Sequence, residues 1–204
     1  MTQSGPGAAR AAAAARRALD SGVGLLVSWG LAGGLGAAVA PGTIVMPRRV
    51  CGQGGEPFPA DAAWHSRFAA LAAHLPLELG DLLTVPGALE SPAAKRAAAA
   101  ATGAVAVDME SVAIAGEAAR ARVPFVAMRV VVDGVDDALP PGAESWIDEH
   151  GQRRITAVLR AAVDARHWRA LLTLAKRYRV ASGTLDALAD ALAERRMLGA
   201  EAAS

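Results

Sequence analysis

Hydrophobic and polar positions follow two periods along the chain. Residues 23–29 (VGLLVSW), 43–46, 82–85 and 105–107 are short apolar runs with no helical spacing. Residues 125–132 (FVAMRVVV) form a longer β-rich run. Short unbroken runs of this kind predict strands, and the last one a central strand covered on both faces. Between them lie stretches of helical pattern. Residues 8–19 are helical by propensity alone, in a segment that is almost all alanine. A helix is predicted from Asp61, as N-cap, to about His74. Ser91-Pro92 is a start signal for a helix ending near Thr102-Gly103. A fourth helix follows Asp108 through Ala113, Ile114 and Ala118 and stops at Pro124. Residues 153–179 and 185–198 read as two more, separated by a break at Ser182-Gly183. The Gly/Pro-rich residues 48–59 read as loop.

This order predicts an α/β fold: a three-layer sandwich with a mixed central sheet flanked by helices. The 204 residues form one domain in this reading, with residues 1–7 disordered. Composition narrows the function. A net charge of +1 gives no general attraction to nucleic acid or anionic surfaces. Aromatics at 4% argue against a stacking platform for single strands. No apolar run approaches the ~20 residues of a spanning helix. The single cysteine, Cys51, excludes an intrachain disulfide or a cysteine metal cluster and suits the cytoplasm. The four histidines show no ligand spacing, so neither a metal nor a cofactor is expected. Ser28 and Ser111 have no paired histidine and no nucleophile elbow, which excludes a serine hydrolase.

Candidate chemistry concentrates between residues 105 and 137. Ligands of open α/β sheets sit at strand ends, and this stretch offers Met109, Glu110, Arg129 and Asp133. One helix and one strand separate Glu110 from Asp133, so both carboxylates are expected at one sheet edge. There, one can bind vicinal hydroxyls and the other protonate a leaving group. Arg129 can pair with either carboxylate or with an anionic ligand. Structural roles compete with these: a carboxylate at a helix N-terminus serves the dipole, and Asp-Gly is a common turn. The glycines of residues 30–36 (GLAGGLG) are either a ligand loop or a tight turn with close packing.

Four segments together resemble the nucleoside phosphorylase superfamily: GLAGGL at 30–35, PGTIV at 41–45, VDMES at 107–111 and RVVVD at 129–133. This group holds purine nucleoside phosphorylases and methylthioadenosine/S-adenosylhomocysteine nucleosidases. The Asp108-Met109-Glu110-Ser111 form, Leu139-Pro140-Pro141 and the basic segment 153–179, with eight Lys/Arg against one acid, are similar to hopanoid-associated phosphorylases. The resemblance implies cleavage of the N-glycosidic bond of an adenine nucleoside, with adenosylhopane the favoured substrate. A methylthioadenosine/S-adenosylhomocysteine nucleosidase and a nucleoside-binding scaffold without turnover are the alternatives. It implies that Asp133 protonates N7 of the base, Met109 packs under the ribose and Glu110 binds its hydroxyls. Ala32 and Gly33 would line the site, Glu90 and Ser91 would edge the base, and Arg129 would support the site and orient Asp133. Inorganic phosphate is a possible co-substrate in place of water. Relatives imply a homodimer or higher homo-oligomer, and segment 153–179 suggests peripheral contact with the inner membrane. The family's opening strand and its nucleophile loop are expected to be missing from this chain, which starts at the first helix. Leu31 and Val132 replace the polar residues usual at their positions.

Overall fold

A computed structural model describes residues 7–139 and 168–201. Among the described residues five helices, α1 (Ala8–Asp20), α2 (Ala62–Ala72), α3 (Pro92–Thr102), α4 (Ser111–Ala121) and α5 (Trp168–Glu201), surround one mixed sheet. Its strands are β1 (Leu26–Gly34), β2 (Ile44–Val45), β3 (Arg49–Cys51), β4 (Phe58–Pro59), β5 (Leu77–Glu78), β6 (Leu82–Thr84), β7 (Ala106–Asp108) and β8 (Phe125–Asp133). They are ordered β4-β3-β6-β7-β1-β8-β2-β5. The expected three-layer α/β architecture is present.

β8 lies inside the sheet, parallel to β1 and antiparallel to β2. Alternation along it explains the unbroken apolar run. Phe125, Ala127 and Val131 enter a core with Ala15 of α1 and Ala115 and Ala118 of α4. Met128, Val130 and Val132 enter a second core with Ala72 of α2 and Ala181 and Leu188 of α5. A third cluster, Leu35, Leu83, Val85, Ala104 and Val107, is covered by Ala98 and Ala99 of α3.

Helix starts follow the predicted chemistry. The Asp61 carboxylate accepts from Trp64 N at 2.9 Å, and Ser91 Oγ from Ala94 N at 3.1 Å. α3 ends on Gly103 in the left-handed region at φ 71°.

Several sequence expectations are corrected. The first strand begins at Leu26 and continues through Gly34, so most of the glycine run is strand and not loop. Apolar runs mark strands poorly where the neighbouring backbones, rather than side chains, need room. At Gly34 a Cβ would sit 2.8 Å from Val39 O and 3.2 Å from Asp133 O, both backbone atoms. Residues 48–59 contain the antiparallel pair β3 and β4, and the two-residue β5 was not foreseen. α2 ends at Ala72, before His74. Ser182-Gly183 does not break the last helix. Ala181, Leu185, Leu188 and Leu192 form one apolar stripe across it, packed on the second core. That burial outweighs the roughly 1 kcal/mol cost of an internal glycine. Residues 1–6 and 140–167, including most of the basic segment 153–179 and the Pro140-Pro141 pair, lie outside the described residues. Among the described residues no helix is long and apolar enough to cross a membrane.

Gly34→Ala is expected to destabilise the protein by about 1–3 kcal/mol, because the intruding methyl meets backbone on two sides. A urea midpoint equal to wild type would show that the strand-end packing is looser than described.

Candidate active site

Arg129 sits in the middle of β8, paired in register with Gly30 of β1. It is 4% exposed. A charge in that position needs room and partners. Gly30 gives the room: a Cβ there would lie 2.5 Å from Arg129 Nη1. Nη2 makes an ion pair with Asp108 Oδ2 at 2.6 Å and lies 3.6 Å from Glu110 Oε2. It also donates to Ser28 Oγ at 2.8 Å and Ser111 Oγ at 3.0 Å. Ser28 and Ser111 thus have a role without being nucleophiles.

Asp108 closes this network. Its Oδ1 accepts from Thr84 Oγ1 at 2.6 Å, and its Oδ2 accepts from the amide of Ser111 at 3.1 Å and from the Ser111 hydroxyl. It therefore satisfies the first amide of α4. Glu110 holds the N-cap position with no side-chain capping bond. Its Oε1 accepts from the amide of Gly7 at 3.1 Å, and its side chain is 18% exposed. The helix-cap explanation for Glu110 is thus removed: Asp108 serves the helix, and Glu110 keeps its other oxygen beside Arg129.

Asp133 ends β8 and is 3% exposed. The register shifts here: Ala32 pairs with Val131, but Gly33 pairs with Asp133, leaving Val132 as the extra residue of a bulge. Bulges re-aim side chains, and this one sets the Asp133 carboxylate against Gly33. A Cβ on Gly33 would lie 3.5 and 3.6 Å from its two oxygens. The partner of Asp133 is Lys95 of α3, whose ammonium binds Oδ2 and also donates to Gly134 O at 2.8 Å and Asp137 O at 2.9 Å. Burial pushes the Asp133 carboxyl above its ordinary value. Lys95 opposes that rise without cancelling it, Asp137 adds to it, and Arg177 of α5 opposes it.

One expectation about this region is corrected. Arg129 does not orient Asp133; its anionic partners are Asp108 and Glu110. β7 runs antiparallel to β1 while β8 runs parallel to it. Asp108 therefore falls one step beyond the Gly33–Val107 pair, back toward the middle of β1.

The other expected residues are spread along this axis. Ala32 is buried in the first core. Met109 lines a cleft of about 340 Å³ with Phe58, Thr84, Val85, Pro86 and Val112. Neither Glu110 nor Asp133 lines that cleft. Ser91 Oγ is engaged as a helix cap, and the Glu90 carbonyl accepts from Leu139 N at 2.8 Å. Among the described residues no group of three or more His, Cys, Asp or Glu is placed to hold a metal.

Sequence reasoning missed Lys95. Its signal was present: Lys95, Ala98, Ala99 and Thr102 share one face of α3, and Ala98 and Ala99 are the positions packed on the core.

Comparison with known proteins places the fold. The model of the phosphorylase superfamily matches residues 1–164. A search of curated proteins finds no match. The fold is similar to S-adenosylhomocysteine nucleosidase from Streptococcus pyogenes, solved with 5-methylthiotubericidin. The TM-score is 0.60 at 18% identity, over 64% of each chain. It is similar to 5'-methylthioadenosine/S-adenosylhomocysteine nucleosidase from Neisseria meningitidis, solved with methylthio-immucillin-A. There the TM-score is 0.69 at 17% identity, over 93% of this chain and 78% of that one. Futalosine hydrolase of Helicobacter pylori gives a TM-score of 0.63 at 15% identity, over 91% and 76%. The chain spans about 64% of the Streptococcus protein's length. At these identities the likeness shows the fold.

Arg129→Met leaves Asp108 buried without its cation and is expected to cost roughly 3–5 kcal/mol of stability by urea denaturation. Adding Asp108→Asn should restore part of the loss; equal stability of the single variant and wild type would contradict the buried pair. The raised Asp133 value has a second consequence. The folded state holds the extra proton, so its contribution to stability is complete below the ordinary aspartate value of 3.8 and is lost as pH rises through the raised value. Asp133→Asn cannot titrate and should remove that part of the pH dependence of the denaturation midpoint above pH 3.8. Parallel curves for the two proteins would refute the assignment.

Proposed function

The chain belongs to the phosphorylase superfamily, and from that premise we propose that it cleaves the N-glycosidic bond of an adenine nucleoside and releases adenine to phosphate or water. The observation that carries this reading is Asp133: a carboxyl buried at a strand end against Gly33, with burial raising its proton affinity. Breaking a ribosyl C–N bond leaves the electron pair on the base. A proton delivered to N7 lets the base depart neutral, and a carboxyl with raised affinity can carry that proton nearer neutral pH. Glu110 suits the sugar. Its carboxylate is excused from capping, steadied by Arg129 and the Gly7 amide, and able to accept from two hydroxyls. Met109, at the end of β7, supplies an apolar surface under the ribose and opens onto the cleft with Phe58, Val85 and Pro86. Ala32 and Gly33 contribute backbone, while Glu90 and Ser91 flank the start of α3 beside the Lys95–Asp133 pair.

For the substrate, the reading is adenosylhopane. It is supported by the Asp108–Ser111 sequence, by Leu139-Pro140-Pro141 and by the basic residues between 153 and 179. A lipid-linked nucleoside would be met at the inner membrane's cytoplasmic surface, by a homo-oligomer in which a second copy closes the pocket. A second reading, a methylthioadenosine/S-adenosylhomocysteine nucleosidase, is favoured by the proteins of similar fold.

Purified protein should release adenine from adenosine, methylthioadenosine or adenosylhopane. Assays with and without inorganic phosphate identify the nucleophile by the sugar product. Asp133→Asn should lower kcat by about 10²–10⁴-fold, and Glu110→Gln should act mainly on KM. Adenine binding by calorimetry with no release from any of the three would make the chain a nucleoside-binding scaffold and end the enzymatic reading.

A further inference from the structure

α3 is an alanine-rich helix whose one fully buried side chain is a lysine. Lys95 is 1% exposed. Burying an ammonium is costly, and an apolar residue would fill the same space without that cost. The three N–H groups of Lys95 are all used: one on Asp133 Oδ2, one on Gly134 O and one on Asp137 O. An ammonium so saturated has no donor left for a ligand. It grips two things at once, the carboxylate at the end of β8 and the turn that follows. The turn is tied further by Gly134 N to Asp137 Oδ2 at 2.8 Å and by Arg177 to Asp137 Oδ1 at 2.6 Å. Arg96, the next residue on α3, pairs with Asp136. Helix α3 therefore fixes Asp133 and the turn that follows it.

We propose that Lys95 is the positioning residue for Asp133: it pins Oδ2 and the turn at residues 134–137, and leaves Oδ1 to meet the departing base. This rests on the glycosidic reading above. In the step, the O–H bond of the Asp133 carboxyl breaks and an N–H bond forms at N7. The C–N electron pair passes to the base. Asp133 becomes a carboxylate facing a fixed ammonium. The ammonium therefore interacts more strongly with the product of proton transfer than with the starting carboxyl, which is the condition for lowering the barrier. The charged groups facing Asp133 are Lys95 from α3, Asp137 from the turn and Arg177 from α5. Of these only Lys95 bonds the carboxylate among the described residues, so its removal has a defined sign. Without it the Asp133 carboxyl should titrate at higher pH.

The test uses the full chain with Lys95→Met, Lys95→Gln and Lys95→Arg. Carboxyl ¹³C NMR of unliganded protein should show Asp133 titrating higher in Lys95→Met and Lys95→Gln than in wild type, and close to wild type in Lys95→Arg. In adenine-release assays, Lys95→Met should lower kcat by about 10²-fold with KM little changed, the scale expected for a misplaced reacting group. The fall of kcat on the alkaline side should move to higher pH, and Lys95→Arg should bring it back. An unmoved Asp133 titration together with an unmoved alkaline limb would overturn the proposal. If the uncharged variants do not fold, wild type alone decides. The ¹³Cε signal of Lys95 should follow the Asp133 titration, and independence of the two rejects the pairing. Absence of adenine release by wild type would defeat the glycosidic reading, while the NMR titrations would still judge the Lys95–Asp133 coupling.

Discussion

A guanidinium buried in the centre of a β-sheet has to be paired, and much of the local sequence answers that demand. Removing an ion from water costs several kcal/mol even after relaxation, so Arg129 is tolerable only with an anion and further acceptors in place. Asp108 is the anion, at 2.6 Å. Ser28 from β1 and Ser111 from α4 supply hydroxyl oxygens, and Thr84 from β6 holds the far oxygen of Asp108. Gly30 is glycine because the guanidinium occupies the space of its side chain. Two neighbouring strands, a third next to them and one helix are thus registered on a single charge. Apolar burial would tolerate a strand slipping, but a fixed set of polar partners does not.

The same network decides which carboxylate is available. Asp108 and Glu110 are two residues apart at one helix start, and either could have capped it. Asp108 does so, because β7 aims it at both Arg129 and the Ser111 amide. Glu110 then has an oxygen near Arg129 and another on the Gly7 amide, at the edge of the network. A buried structural acid and a partly exposed acid with a free choice of partner are separated here by one intervening residue, Met109.

The sequence showed the layers more clearly than the wiring. The continuous run at 125–132 predicted a central strand, because burial on both faces leaves no polar alternation to hide. Ser91-Pro92 and Asp61 predicted helix starts, since capping is local chemistry between residues three apart. Strand direction was not legible. A three-residue strand such as β7 carries no record of its neighbours, and the antiparallel join to β1 depends on contacts more than 70 residues away along the chain. The glycines of 30–34 were ambiguous for a related reason: Arg129 and the Asp133 backbone, which they accommodate, are distant in sequence. Glu110 and Asp133 were singled out from strand and helix ends. Lys95 was hidden by its residue type, because lysine on a helix is ordinarily solvated.

The two buried aspartates differ in what their hydrogen bonds leave undone. Asp108 accepts from Thr84 and from both the hydroxyl and the amide of Ser111, and is ion-paired with Arg129. Both of its oxygens are thus engaged within the protein. Asp133 is bonded on Oδ2 by Lys95, and its carboxylate lies against Gly33. Burial makes its charged form costly and one ammonium only partly relieves that cost, so its proton affinity stays above the ordinary value. The Arg129–Asp108 network is saturated with partners and is the rigid anchor against which the end of β8 at Asp133 is placed.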